Sequence, residues 1–253
     1  MSKSLSRRKL ITTGLATAGG ASGLAVAARI ADRYGLIPPD HHFLFGIGDT
    51  LTYASHRLLR TRFSMAREFN RSDISKVAPV NGLPPEDENY QRLLAGKFAD
   101  WRLTIDGLVA RPLTFSLDEL KRLPSRSQIT HQACEEGWSF IAEWTGVPLY
   151  YLLNLVGVLP QAKYAVFFSL AKRWDSLDLF DAWHPQTLIA YGMNGQELPT
   201  PHGAPVRLRV PRHLGFKSTK YLARINLADT VKNIGKGWGS LSPERGFAWY
   251  GGI

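Results

Sequence analysis

The chain has 253 residues, 44% hydrophobic and 21% charged, a composition that suits a globular protein with a sizeable core. Its net charge of +10 is uneven: Lys3, Arg7, Arg8, Lys9, Arg29 and Arg33 against Asp32 leave +5 in residues 1–33 and +5 in residues 34–253. The remainder favours an anionic ligand or partner; with no zinc-finger spacing, no long basic run and no basic stretch interleaved with aromatics, nucleic acid is excluded, and a single cysteine, Cys134, excludes an intramolecular disulfide.

Residues 6–10 read Ser-Arg-Arg-Lys-Leu, and the uncharged stretch from Ile11 to Ala28 is diluted by threonine and glycine. That is mild hydrophobicity for a membrane span. A positive start, a weakly apolar middle and small residues near Ala25-Val26-Ala27 predict an export signal, retained or cleaved. The paired arginines point to the twin-arginine machinery, and so to a periplasmic location. Residues 1–33 are therefore set apart from the fold. Residues 34–75 read as an N-terminal extension and 76–253 as the main domain.

Within the extension, Leu51, Leu58 and Leu59 fall near helical spacing, which predicts a basic amphipathic helix over 51–62, packed on the domain or lying against a membrane surface. Residues 79–90, with Asn81-Gly82 and Pro84-Pro85, read as a loop. The alternation over 101–107 predicts a strand. Ser116 with Glu119 is a capping box that opens a short helix ended by Pro124. A strand over 126–133 leads straight into Cys134, and an apolar helix covers 147–156 with Pro148 in its first turn. Residues 164–170 read as a buried strand, and Asn194-Gly195 as a hairpin turn after a strand over 188–193. Strands over 206–210 and 221–227 follow. Strands dominate, short helices intervene and no βαβ alternation appears, so the fold class is α+β on a mixed or antiparallel sheet.

Two segments carry specific information. One is Thr130-His131-Gln132-Ala133-Cys134-Glu135-Glu136-Gly137-Trp138-Ser139, continuing to Trp144-Thr145-Gly146-Val147-Pro148-Leu149. The other is Met193-Asn194-Gly195-Gln196-Glu197-Leu198-Pro199, then Pro201-His202-Gly203-Ala204-Pro205-Val206-Arg207-Leu208, running on to Gly215-Phe216-Lys217-Ser218-Thr219-Lys220. Over about residues 75–250 the chain resembles the molybdopterin-binding domain of the sulfite oxidase family. Its closest likeness is to the bacterial periplasmic branch that includes the catalytic subunit of protein-methionine-sulfoxide reductase.

The resemblance implies a sulfite oxidase-type fold and a molybdenum-molybdopterin cofactor with Cys134 as its protein ligand. It implies that His202 and Arg207 hold the pterin and its phosphate, and that Ser218, Thr219 and Lys220 wrap the phosphate. Ser169 stands where the reductase branch has a threonine at the cofactor, and Asn81 matches an N-terminal pterin contact. His202 replaces the reductase's asparagine but is familiar in sulfite oxidases. Export of a folded protein agrees with a cofactor inserted before transport.

The residue types suit those roles. Thiolate is a soft donor beside a sulfur-rich cofactor. Arg207 offers a planar fork and Lys220 a point charge to phosphate. The loop from Gly215 to Lys220 can turn N–H groups toward an oxyanion, and Gly203 permits close approach beside a bulky ligand. Bland readings stand beside these. Arg207 and Arg209 share a strand, and one of them is expected to face solvent. His131 is read as structural or exposed, Trp138 and Trp144 as core, and Glu135 and Glu136 as facing water or pairing with arginine.

Sulfite oxidases carry paired arginines after the ligand cysteine, where this chain has Glu135-Glu136. The sequence to Ile253 also shows no haem module or dimerisation domain. The expectation is oxygen-atom transfer, as reduction of a small-molecule or protein S-oxide or N-oxide. Electrons would come from a membrane cytochrome or quinone-linked subunit. The alternative is a cofactor-free periplasmic binding protein for an anionic ligand or partner.

Overall fold

A computed structural model describes residues 26, 29–32, 34–40, 46–61 and 63–253. The paired arginines of the expected export signal lie outside the described residues, as does most of its apolar stretch. No helix among the described residues is long and apolar enough to cross a membrane.

The chain divides into two compact units after Thr61. In the first, helix α1 spans Gly46–Leu59. Leu51 and Leu59 are exposed on it, as is Ile47. Tyr53 is the buried side chain instead, with the guanidinium of Arg57 one turn later 4.8 Å from its ring centre.

The second unit is built on two five-stranded sheets. β1 (Arg102–Gly107) and β2 (Leu113–Ser116) form a hairpin, and α2 (Glu88–Ala95) precedes them, capped by the Asp87 carboxylate. The Ser116–Glu119 capping box forms as the sequence predicts and starts α3 (Leu117–Arg122). β3 (Arg126–Ala133) and β4 (Ser139–Pro148) pair antiparallel along eight register positions, from Arg126 with Gly146 to Ala133 with Ser139. Helix α4 (Leu149–Val156) begins after Pro148, which serves as its N-cap, and buries Leu149, Leu152, Leu153 and Val156 completely. Each such side chain contributes about 1.5–3 kcal/mol.

β5 (Tyr164–Ser169) and β6 (Trp174–Asp178) form a second hairpin, followed by α5 (Leu179–Ala182). β7 (Leu188–Met193) turns through Asn194 and Gly195, both at positive φ, into β8 (Gln196–Glu197). β9 (Arg207–Arg209), β10 (Leu222–Ala228) and α6 (Leu241–Glu244) complete the set. The strand orders are β2-β1-β10-β5-β6 and β3-β4-β7-β8, with β9 also pairing with β7. Only β1 with β10 is parallel, so the sheets are mixed and mainly antiparallel. The main core joins Leu103, Ile105, Phe167 and Ile225 of one sheet to Ile189 and Leu208 of the other, with α4 among them.

Residues ahead of the predicted domain start also contact β3 and β4. Phe69 N–H donates to the Ile129 carbonyl at 2.9 Å, Ser75 N–H to that of Ile141 at 3.0 Å, and Gln186 exchanges hydrogen bonds with the backbone of Ala66.

Candidate cofactor cleft

Cys134 occupies the first position after β3, at the tip of the β3–β4 hairpin. Its N–H donates to the Trp138 carbonyl at 2.9 Å, and Gly137 N–H closes back on the Cys134 carbonyl at 3.1 Å. Gly137 takes a φ of +91°, which a residue with a side chain adopts only under strain. A rigid two-stranded ribbon thus fixes the sulfur. Burial, with the neighbouring Glu135 carboxylate adding to it, pushes the thiol up to about 11, and Sγ donates to Glu135 Oε2 at 3.3 Å. The free thiol is therefore protonated, and a metal would displace that proton.

The cleft beside Cys134 measures about 880 Å³ counted to its open mouth, and all eight predicted site residues line it. Asn81 enters from the loop over 79–83, Ser169 from the end of β5, Arg207 from β9, and His202 from the turn Thr200–His202. Ser218, Thr219 and Lys220 follow the turn Gly215–Lys217. That turn leans on the cysteine: a Cβ on Gly215 would lie 3.3 Å from the Ala133 carbonyl oxygen and 3.8 Å from the Cys134 Cα.

The charges are distinctive. Arg207 is 3% exposed, and its two Nη groups donate to the His202 and Ser218 carbonyls, each at 2.9 Å. Lys220 Nζ donates to the Asn81 carbonyl at 2.6 Å and the Pro201 carbonyl at 3.0 Å. Among the described residues no carboxylate pairs with either cation. Desolvation lowers Arg207 to about 10. It lowers Lys220 to about 8 and His202 to about 4, with the Arg207 charge adding to both. Three desolvated basic groups on one cleft are a setting that suits an anion.

Other details differ from the sequence reading. Arg209 was one of a pair expected to contain a solvent-facing residue, yet both arginines are buried. A period of two puts residues 207 and 209 on the same side of β9 and Leu208 on the other. Their guanidinium carbons stand 5.0 and 5.4 Å from the Trp144 ring centre, and Leu208 enters the main core. Gly203 makes room for Lys220 rather than directly for a ligand, since a Cβ there would lie 2.8 Å from the Lys220 Cβ. Two loop N–H groups expected to face an oxyanion, those of Lys217 and Ser218, instead donate to the Leu214 and Gly215 carbonyls.

Ser169 Oγ donates to the Lys220 carbonyl at 2.7 Å, and Ser218 Oγ accepts from Val210 N–H at 3.1 Å, so both hydroxyls brace the loop. Lys217, 1% exposed, pairs with Asp175 at 2.5 Å. Glu136 is exposed and accepts from Asn81 and Trp138, whereas Glu135 lines the cleft. His131 is exposed. Trp144 is core, and Trp138 borders the cleft.

Sequence reasoning missed several lining residues, among them Gln132, Arg173, Tyr221 and Ser242. Gln132 was legible, because it lies two residues before Cys134 on the same face of β3. The others carry no local signal.

A phosphorylated pterin fits this donor set. Thr219 Oγ1, Gln132 Oε1 and Tyr221 Oη are buried without a protein partner, and all three residues line the cleft. They would complete an anionic, hydrogen-bonding ligand close to the two cations, with a thiol for a soft metal.

Residues 92–234 match the oxidoreductase molybdopterin binding domain family. The chain is 35% identical over 188 residues to a protein of Azospira oryzae provisionally named protein-methionine-sulfoxide reductase subunit YedZ1, covering 74% of this chain and 68% of that one. It is 37% identical over 164 residues to the protein-methionine-sulfoxide reductase catalytic subunit MsrP of Ralstonia nicotianae, and 36% over 168 residues to that of Xanthomonas axonopodis pv. citri. Those matches cover 58% and 60% of this chain and 49% and 52% of the relatives, so the chain spans about half the length of each MsrP. The sulfane dehydrogenase SoxCD of Paracoccus pantotrophus superposes with a TM-score of 0.50 at 28% identity, over 52% of this chain and 39% of that one.

Proposed function

We infer a function from the premise that this chain belongs to the oxidoreductase molybdopterin binding domain family, as an α+β protein of the sulfite oxidase fold and a molybdopterin-dependent enzyme. The proposed reaction is oxygen-atom transfer in the reductive direction, from an S-oxide and above all a methionine sulfoxide in a protein. The names of three relatives support that direction. Cys134 is the proposed protein ligand to molybdenum. Asn81, Ser169, His202, Arg207, Ser218, Thr219 and Lys220 form the proposed cofactor shell.

When bound, the cofactor supplies the two-electron redox chemistry of oxygen transfer. The protein's work is ligation, orientation and charge. The Cys134 hairpin holds Sγ in place, and the thiol proton is released when a metal is bound. Arg207, with its guanidinium set by two carbonyls, and Lys220, with its ammonium near Asn81, balance the phosphate charge. Without a bound anion, burial and the Arg207 and Lys220 charges hold His202 near 4, so its ring is neutral near pH 7 and open to a hydrogen bond.

The electron source in this account is a membrane cytochrome or quinone-linked subunit. Residues 1–33 are the proposed twin-arginine export segment, which places the enzyme in the periplasm. Residues 76–253 form the proposed catalytic domain, with the extension over 34–75 ahead of it.

One observation carries the reading: a buried Arg207 and a desolvated Lys220, both without carboxylate partners among the described residues, share a cleft with the chain's single thiol. The test is turnover of protein-bound methionine sulfoxide with an artificial one-electron donor, using protein from a host that makes the cofactor. Turnover that disappears in Cys134→Ser supports it. Equal turnover in both proteins contradicts it.

A further inference from the structure

Residues beyond the matched family segment also build the cleft. That match ends at residue 234, yet Leu241 and Ser242 line the cavity. Past them the chain returns along the segment that precedes the Gly215–Lys217 turn. Leu214 N–H donates to the Gly251 carbonyl at 2.7 Å, Ile253 N–H donates to the Arg212 carbonyl at 2.9 Å, and His213 bridges Gly252. The Tyr250 ring meets the His213 ring edge-on at 4.9 Å, and Phe247 stacks on Phe216 at 6.2 Å. Gly251 sits so near Phe216 that an added Cβ would lie 2.7 Å from the ring.

Trp249 is the centre of this contact. It is 1% exposed, and its Nε1–H donates to Ser176 Oγ on β6 at 2.8 Å. Lys217 Nζ lies 4.8 Å from the indole centre, while the same ammonium pairs with Asp175. The indole therefore backs the residue immediately before Ser218, Thr219 and Lys220.

We propose that residues 241–253 are a clamp on the cofactor cleft, and that Trp249 is the positioning residue that sets the Gly215–Lys220 loop through Lys217. The ligand in this proposal rests on the function inferred above; the clamp itself does not. The strap adds to the bonds that Ser169, Arg207 and Asp175 make to the loop, so loosening it raises local opening of the loop while the sheets stay folded.

The test compares full-length wild type, Trp249→Ala and Trp249→Phe. In cofactor-free protein, Trp249→Ala is expected to raise amide exchange over residues 214–220 by about tenfold or more, with β4 and β7 unchanged. In protein from a cofactor-making host, the same variant should lose pterin on dialysis about ten times faster. Trp249→Phe keeps a ring under Lys217 without the Nε1–H bond, and should restore most of both properties. Unchanged exchange over 214–220 overturns the clamp, as does an increase spread equally across β4 and β7. Failure of the phenylalanine to rescue overturns the role given to the ring. If wild type holds no pterin, the inferred function fails, and the exchange arm still decides the clamp.

Discussion

At the scale of single residues, the account depends on buried polar and charged groups that share one cleft with Cys134. Cys134→Ser is expected to cut turnover at least about a hundredfold and leave little molybdenum, while its thermal midpoint without cofactor stays close to wild type, because one oxygen replaces one sulfur. Elemental analysis beside a melting curve checks both. Arg207→Lys keeps a charge but loses the fork that two carbonyls orient, so pterin retention should fall by about tenfold while the fold persists. A second set of titrations concerns stability. Burial lowers His202 and His184 to about 4 from their ordinary 6.5, so the folded protein binds fewer protons than the unfolded chain between those values. Stability of the cofactor-free protein is then lost as pH falls from 6.5 toward 4. Denaturant midpoints across that window should drop, and His202→Gln should flatten the slope. A midpoint independent of pH there would contradict the placement of both rings.

At the scale of elements, local chemistry decided what was legible. The Ser116–Glu119 box, the Asn194-Gly195 turn and the strand over 126–133 each carry their own instructions, and each forms where its residues indicate. The parallel pairing of β1 with β10 was not legible, because its partners are more than a hundred residues apart, as Thr104 with Arg224. The burial of Arg209 was misread although a period of two already placed it with Arg207. One element prediction follows from the irregularity in β4. Register shifts between Thr145 and Gly146, and a Cβ on Gly146 would fall inside the Ile189 carbonyl on β7. Gly146→Ala should therefore destabilise the sheet that carries Cys134 by about 3 kcal/mol or more, read from chemical denaturation. Ser116→Ala, which removes only a helix cap, should cost about 1 kcal/mol.

At the scale of the whole molecule, the cleft is assembled from distant parts of the chain: a loop near residue 81, the hairpin at Cys134, the end of β5, β9 with its following loop, and a strap after residue 234. Motif reading located the first four through resemblance to a family, and missed the strap because its contribution is a contact and not a motif. The convergence of those parts puts the chain's only sulfhydryl in one cleft with Arg207 and Lys220, and the central claim is that a molybdenum-pterin completes it. The most direct measurement is the metal and pterin content of the folded, full-length protein purified from a host that makes the cofactor. The account predicts about one molybdenum and one pterin per chain, both lost in Cys134→Ser or on denaturation. Folded protein that carries neither, or that keeps both in Cys134→Ser, would contradict it.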